Sequence, residues 1–97
     1  MRFEIVLAPQ AVEDLRGLRA RQRSEVRDVI ERHLRHEATR QTRSRIKRLR
    51  GLSKPQYRLS VGSVRVFYDV AGQEVHVLAI VEKEGAAAWL ERVGVKA

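Results

Sequence analysis

Residues 57–81 read YRLSVGSVRVFYDVAGQEVHVLAIV, and this stretch decides the fold. Apolar side chains alternate with polar ones in three runs, which predicts three strands. The runs are residues 56–61, 64–70 and 74–81. The pair Gly62-Ser63 has the composition of a two-residue hairpin turn, and a second turn follows at residues 71–73. Strands joined by such short turns pair antiparallel, so this half of the chain predicts an antiparallel sheet.

The third of these strands is apolar on both faces. The pattern predicts that one face carries Val75, Val77, Ala79 and Val81. The other face, with His76, Leu78 and Ile80, is also largely apolar. A strand that is apolar on both sides is typical of the middle of a sheet, and we expect this one to lie there.

The first half of the chain predicts a strand over residues 2–8 and then two helices. Apolar residues repeat at helical spacing over residues 9–18 and 22–37, and the short connection between them favours a helical hairpin. We interpret residues 38–44 as a loop, residues 46–52 as an irregular segment, and residues 86–90 as a short final helix. The chain predicts a single α+β domain over residues 1–97, with the helical hairpin packed on a mostly antiparallel four-stranded sheet.

Composition excludes several classes of protein. The chain has no cysteine, which excludes disulfides, thiolate catalysis and cysteine-ligated zinc and favours the cytoplasm. No apolar run approaches the roughly 18 to 20 residues that cross a bilayer, so we expect no membrane association. Glycine-rich phosphate loops, paired catalytic carboxylates and Ser/His/Asp arrangements are missing, and we expect no cofactor. The net charge of +8 and the pI of about 11.0 favour a polyanionic partner.

The positive charge is concentrated in one part of the sequence. Residues 38–68 contain nine lysines or arginines and no acid, although the chain has 12 acids elsewhere. A solvated helix face would mix both signs, as residues 22–37 do. We therefore predict that this segment contacts the phosphates of RNA, and we expect these contacts from Arg40, Arg43, Arg45, Arg50, Lys54 and Arg58.

Two strand arginines are the most specific candidates. Arg58 and Arg65 lie on neighbouring predicted strands, on the face opposite the apolar side chains. If the hairpin closes at residues 62–63, both guanidinium groups can reach one concave side of the sheet and bind a phosphate. The alternative is that either arginine pairs with Asp69 or is simply exposed.

The histidines suggest weaker sites. His33 and His36 are three residues apart on a predicted helix, but no third ligand accompanies them, so we predict no metal site. His33 fits a packed position in the apolar stripe. His76 also fits a structural position in its strand, although a histidine on a sheet can act as a general acid or base.

Four segments, taken in order, resemble the RelE/ParE superfamily of toxins from type II toxin–antitoxin systems. They are KRLRG at 47–51, YRL at 57–59, SVRVFYDV at 63–70 and VLAIVEK at 77–83. The upstream strand and helical hairpin also fit, so the resemblance covers nearly the whole chain. It implies a RelE-like fold and a cognate antitoxin as partner.

The resemblance also implies an activity. RelE-like toxins are mRNA interferases that inhibit translation by cutting mRNA in the ribosome without a metal or cofactor. The RNA 2′-hydroxyl attacks the adjacent phosphate, and basic side chains assist. By position, Lys47 or Arg48 matches the basic segment before the leucine and glycine, Arg65 matches the strand arginine, and Lys83 is the nearest C-terminal cation. These four are the predicted catalytic residues.

The C-terminal part departs from the pattern of the RNA-cleaving toxins. No tyrosine follows Tyr68, and Glu84 comes directly after Lys83. Two alternatives therefore stay open beside the endoribonuclease: a ParE-like inhibitor that binds DNA gyrase, and a catalytically silent RNA-binding relative.

Overall fold

The strands predicted over residues 57–81 form the centre of a five-stranded sheet in the computed structural model, which describes residues 2–97. The strands are β1 Glu4–Leu7, β2 Ile46–Arg48, β3 Leu52–Lys54, β4 Tyr57–Val61, β5 Val64–Ala71, β6 Glu74–Glu82 and β7 Val95–Lys96. The helices are α1 Pro9–Arg16, α2 Ala20–Val29, α3 Arg35–Glu37 and α4 Lys83–Val93, with a π-helical segment Ile30–Leu34 between α2 and α3.

The main sheet has the order β1-β6-β5-β4-β2. Strand β1 runs parallel to β6, and the other neighbours are antiparallel, which confirms the α+β class and the mostly antiparallel sheet. The sheet has one strand more than the four predicted, because β2 forms inside the segment interpreted as irregular. Strands β3 and β7 make a separate two-stranded ribbon. As predicted, β6 is central, between β1 and β5.

A bulge in β6 corrects the predicted alternation of its side chains. Phe67 pairs with Ala79 and Tyr68 pairs with Val77, so Leu78 is an extra residue in β6. Beyond this point the faces exchange. Ile80, which is 4% exposed, joins Val75 and Val77 in the core, whereas Ala79 turns to the opposite face beside Phe67.

The core lies between the sheet and the helical hairpin. The hairpin buries the apolar residues Ala11, Leu15, Val26, Val29, Ile30 and Leu34. They pack on the sheet residues Leu59, Val61, Val64, Val66, Tyr68, Val75 and Val77. The fully buried Tyr68 hydroxyl donates to the Ala38 carbonyl (2.6 Å), and burial raises the pKa of this tyrosine. Tyr68 therefore keeps its proton and joins the end of α3 to the centre of the sheet.

The helices differ from the predicted ones at their ends. The first helix stops at Arg16, two residues early, and the second begins at Ala20 and is interrupted by the π-helical segment. Directly after this segment, α3 contacts the residue that precedes β1. The Phe3 N–H donates to the Arg35 carbonyl (2.7 Å). In residues 2–97 no helix is long and apolar enough to cross a membrane.

The final helix is longer than predicted. Helix α4 has 11 residues, none of them fully buried, and lies on the sheet face away from the hairpin. Its Trp89 ring stacks on Phe67, with the ring centroids 4.9 Å apart and the planes at 15°. The chain after α4 is held by β7, which pairs with β3, and by the Ala97 N–H, which donates to the Gly51 carbonyl (3.1 Å).

Candidate functional site

The pairing of the strands places three cations on one face of the sheet. Lys47 on β2 is opposite Arg58 on β4, and Arg58 is opposite Phe67 on β5. Directly opposed residues share a face, and so do residues two apart on one strand, so Arg65 lies on this face as well. This face is opposite the hydrophobic core. The prediction that Arg58 and Arg65 reach the same side of the sheet is confirmed.

Helix α4 turns part of this face into a cleft of about 490 Å³. Three cations line it: Arg58, Arg65 and Lys83. Glu84 is the one acid in the lining, and the remaining walls are apolar: Phe67, Ala86, Ala87 and Leu90. We call this space the cationic cleft. An excess of fixed positive charge beside apolar walls favours an anionic group such as a phosphate.

Arg58 has a buried hydrogen-bond donor without a partner. Within residues 2–97 its Nε is the one buried side-chain polar atom without a hydrogen-bond partner. A buried donor without a partner costs free energy. No carboxylate lies within 4.0 Å of either strand arginine in the described residues, because Asp69 instead accepts the Gln56 N–H (2.8 Å). The predicted alternative of an arginine paired with Asp69 is therefore not observed.

Arg65 is fixed by the turn between β4 and β5. Its Nη1 donates to the carbonyls of Gly62 (2.8 Å) and Val64 (3.0 Å), and its side chain is partly buried. Lys83 is the first residue of α4 and is exposed, and its backbone N–H donates to the Ser63 carbonyl (2.7 Å). The same turn therefore positions both cations.

Lys47 and Arg48, the alternatives for one catalytic position, lie on opposite faces of the sheet. Lys47 is exposed on the face of the cationic cleft. Arg48 is on the other face, where its guanidinium lies 5.3 Å from the centre of the Tyr57 ring and donates to the Gln56 carbonyl (2.9 Å). Alternation along β2 thus brings Lys47, and not Arg48, to the side of Arg58 and Arg65.

The other predicted RNA-binding residues do not line the cleft. Arg40 forms an ion pair with Glu37 (2.6 Å), and the partly buried Arg45 donates to the Ser60 carbonyl (3.0 Å). Both side chains therefore have partners within the fold. Arg43 precedes β2, Arg50 lies between β2 and β3, and Lys54 is the last residue of β3. All three are exposed and have no carboxylate within 4.0 Å in residues 2–97.

None of the three histidines lines the cationic cleft. His33 is half-buried in the π-helical segment, and His76 lies 3.0 Å from the Glu74 carboxylate on β6, away from the cationic cleft. In the described residues no three His, Cys, Asp or Glu side chains come close enough together to hold a metal ion.

Sequence reasoning missed the part of the cleft that α4 contributes besides Lys83. Glu84 and Leu90 enter the lining because α4 begins directly after β6 and folds back over β5. The pair Lys83-Glu84 after the last strand marks where the helix begins, but nothing in the sequence shows on which face the helix packs.

Solved structures of RelE toxins share this fold. A variant of the Escherichia coli toxin RelE in the free state gives a TM-score of 0.71 at 19% identity, over 96% of this chain and 99% of that one. The toxin–antitoxin complex RelBE2 from Mycobacterium tuberculosis gives 0.70 at 20% identity, over 84% and 99%. The archaeal RelE–RelB complex from Pyrococcus horikoshii gives 0.61 at 24% identity, over 86% and 97%. Identities this low show the fold alone.

The chain matches the model of a protein family. No curated protein sequence matches the chain. The model of the family described as the ParE toxin of the type II toxin–antitoxin system parDE matches residues 5–85, from β1 into the first turn of α4. This range contains all three cations of the cleft. The chain therefore belongs to the ParE toxin family of type II toxin–antitoxin systems, within the RelE/ParE superfamily.

Proposed function

We propose that this toxin is a ribosome-dependent, metal-independent endoribonuclease that cuts mRNA and inhibits translation. The observation that carries the proposal is the cationic cleft, where Arg58, Arg65 and Lys83 meet. A phosphate bound there would be neutralised by these cations. The requirement for the ribosome rests on the resemblance to RelE-like toxins.

The cleft supplies groups for each step of phosphate transfer within RNA. The 2′-hydroxyl attacks the adjacent phosphorus as its proton passes to a base, and Glu84 is the carboxylate available in the cleft. Arg58 and Arg65 stabilise the added charge on the phosphate oxygens. The bond to the 5′-oxygen then breaks, and that oxygen is protonated by Lys83 in the cleft or by Lys47 on the same face of the sheet. The products are a 2′,3′-cyclic phosphate and a free 5′-hydroxyl.

The tyrosines do not serve as the acid in this scheme. Tyr68 is buried on the core face with its hydroxyl bonded to Ala38, and Tyr57 stacks on Tyr68 on the same face. The cleft therefore depends on its cations for charge stabilisation and proton donation. We expect slow cutting, because no tyrosine is available as the proton donor. Some cutting should remain, because groups that act together in catalysis are strongly non-additive.

A cognate antitoxin is the expected partner in the cytoplasm. The solved complexes from Methanococcus jannaschii and Pyrococcus horikoshii each join a RelE toxin with a RelB antitoxin. By analogy we infer that a small acidic protein neutralises this chain, whose net charge of +8 favours such a partner.

Gyrase inhibition is the second candidate, and the match to the ParE toxin family favours it. The missing C-terminal tyrosine also fits a toxin that acts by binding alone. In that case the exposed surfaces of the hairpin and α4 should matter more than the strand arginines.

The test is to map mRNA 5′ ends in a purified translation reaction, with and without ribosomes. The wild type should cut within codons in the ribosomal A site, and Arg65→Ala and Arg58→Ala should abolish the cuts. The matched control is Arg16→Ala, which removes an exposed arginine on α1, far along the chain from the cleft. Intact mRNA together with inhibition of gyrase supercoiling by the same preparation would replace the endonuclease with the second candidate. Intact mRNA without that inhibition would leave the silent RNA-binding relative.

A further inference from the structure

The turn between β4 and β5, which positions two cations of the cleft, is joined to the helical hairpin by the carboxylate of Glu82. Ser63 in the turn donates its hydroxyl to one oxygen of this carboxylate (Oε2, 3.0 Å). The side-chain amide of Gln22, in the first turn of α2, donates to the other oxygen (Oε1, 3.3 Å). Glu82 therefore bridges the turn and α2.

The Glu82 side chain lies outside the cationic cleft. Glu82 pairs with Val64, which is fully buried in the core, so both side chains lie on the hairpin side of the sheet. Arg65 pairs with Val81 and lies on the other side. Glu82 does not line the cleft. Any effect of its hydrogen bonds on a bound phosphate therefore passes through the residues that it holds.

The carboxylate of Glu82 is not used to cap its own helix. Glu82 directly precedes α4, at the position where a side chain commonly accepts a backbone N–H of the first turn. Within the described residues its side chain forms no such bond. Both oxygens instead accept hydrogen bonds from residues 19 and 60 positions away in the chain. This arrangement favours a role in joining elements over a role in starting the helix.

The partners of this carboxylate are neutral donors. Arg19 and Arg21 line the same surface cavity of about 530 Å³ as Glu82, but among the described residues neither lies within 4.0 Å of its carboxylate. A glutamine in place of Glu82 can keep both hydrogen bonds, because its oxygen accepts from Gln22 and its nitrogen donates to Ser63. Substitution can therefore separate the geometry of the bridge from its charge.

The backbone of the turn connects this bridge to both cations. The Ser63 carbonyl accepts the Lys83 N–H (2.7 Å), and the Gly62 carbonyl accepts Arg65 Nη1 (2.8 Å). Gly62 has a φ of +57°, which glycine adopts without strain, so the conformation of the turn is set locally. What the side chain of Glu82 adds is the placement of the turn relative to α2 and α4.

We infer that Glu82 is a positioning residue, which holds Arg65 and Lys83 in the arrangement that binds one RNA phosphate. The inference rests on the proposed binding of RNA in the cationic cleft. Without the bridge the turn can move, and the two cations then contact the same phosphate less often. The helical hairpin contributes no residue to the lining of the cleft, and it acts on the cleft through the bond from Gln22.

The experiment measures the binding of labelled oligouridine to the full chain by fluorescence anisotropy, from about 50 to 200 mM salt. Each phosphate contact on a single strand contributes about −0.7 to the slope of log affinity against log salt. Glu82→Ala should make the slope shallower by about 0.7, because one contact is lost. Glu82→Gln keeps the hydrogen bonds and should keep the wild-type slope. A role of the negative charge alone would instead make the two variants equal.

Three further variants complete this test. Ser63→Ala removes the hydroxyl and keeps the carbonyl, so it should change the slope as Glu82→Ala does. The double variant should change the slope no further, because both substitutions cut the same link. Glu74→Ala is the matched control, since it removes an exposed glutamate from the other end of β6, and it should not make the slope shallower. Stability in urea should change little, because the bonds of Glu82 are exposed.

NMR of the free protein gives a second readout that needs no RNA. Glu82→Ala should shift the resonances of the Arg65 Nε–H and the Lys83 amide, and Glu82→Gln should leave both near their wild-type positions. Gln22→Ala cuts the bridge at α2 and should shift the same two resonances, although it lies on another element.

Three results would overturn the inference. They are an unchanged slope in Glu82→Ala where Arg58→Gln with Arg65→Gln changes it, equal changes of slope in Glu82→Ala and Glu82→Gln, and NMR shifts confined to Ser63 and Gln22. Failure of the proposed function looks different. The slope would then be insensitive to the two arginines as well, and mRNA would stay intact, while the NMR comparison still decides whether Glu82 positions the cations.

Discussion

The salt dependence of RNA binding gives the most direct test of the cationic cleft. Each phosphate neutralised on a single strand contributes about −0.7 to the slope of log affinity against log salt. Three cations line the cleft and Lys47 shares its face. Four contacts predict a slope of about −3 for an unstructured oligouridine. If the exposed Arg43, Arg50 and Lys54 also bind phosphates, the slope becomes about −5.

Removing the two strand arginines gives a more specific prediction for this slope. The double variant Arg58→Gln, Arg65→Gln should make the slope shallower by about 1.4, because two contacts are lost. Between 50 and 200 mM salt, the factor by which affinity falls should be about sevenfold smaller for the double variant than for the wild type. Fluorescence anisotropy of labelled oligouridine over this salt range measures both quantities.

The control for this experiment removes the same charge elsewhere. Arg16 and Arg32 form exposed ion pairs with Glu13 (3.4 Å) and Asp28 (2.9 Å) on the helical hairpin. The double variant Arg16→Gln, Arg32→Gln should keep the wild-type slope. An equal change of slope in both double variants would refute the reasoning, because binding would then depend on net charge and not on the cleft.

Three further predictions concern the fold and its stability. Tyr68→Phe leaves the buried Ala38 carbonyl without its donor, so the free energy of unfolding should fall by about 1–3 kcal/mol in urea titrations; no change would mean that the bond is not formed. The hydrogen bond from Arg35 lowers the pKa of Glu31 below its ordinary value of 4.5, so this pair stabilises the fold above that pH and the stabilisation is lost as the pH falls through the lowered pKa. Glu31→Gln should therefore be less stable than the wild type at pH 7 and equally stable near pH 2, and a difference that persists at low pH would contradict the pairing. Trp89→Ala should cost about 2 kcal/mol in the same titrations, since the ring loses both its stacking and its apolar contacts; unchanged stability together with unchanged amide exchange in α4 would show that the stack does not hold the helix.

The sequence predicts the central hairpins well because the signal is local. Alternation with period two, interrupted by two glycine-containing turns, determines both the strands and the faces of their side chains. The alternation therefore assigns Arg58 and Arg65 to one face from the sequence alone. The same pattern failed in β6 after Val77, because the extra residue Leu78 has no marker in a run of apolar residues.

Strand β2 and helix α4 depend on tertiary contacts that the sequence does not display. Strand β2 has three residues and one buried side chain, Ile46, so it shows no alternation to read. Without the strand, Lys47 and Arg48 could not be assigned to faces. The alanines of α4 predict a helix, but its packing on the sheet includes an aromatic pair, Phe67 and Trp89, whose members lie 22 positions apart in the chain.

Helix α4 connects the stability of the fold with the choice between the two proposed targets. It buries no residue fully, and it nevertheless forms one wall of the cleft and contributes Lys83 and Glu84. If the target is RNA, the strand arginines hold the phosphate and α4 supplies proton-transfer groups, so Trp89→Ala should reduce cutting more than RNA binding. If the target is gyrase, the exposed face of α4 belongs to the protein contact, and Trp89→Ala should weaken inhibition while Arg58→Gln has little effect. Comparing these two variants in both assays separates the targets by the part of the fold that each one uses.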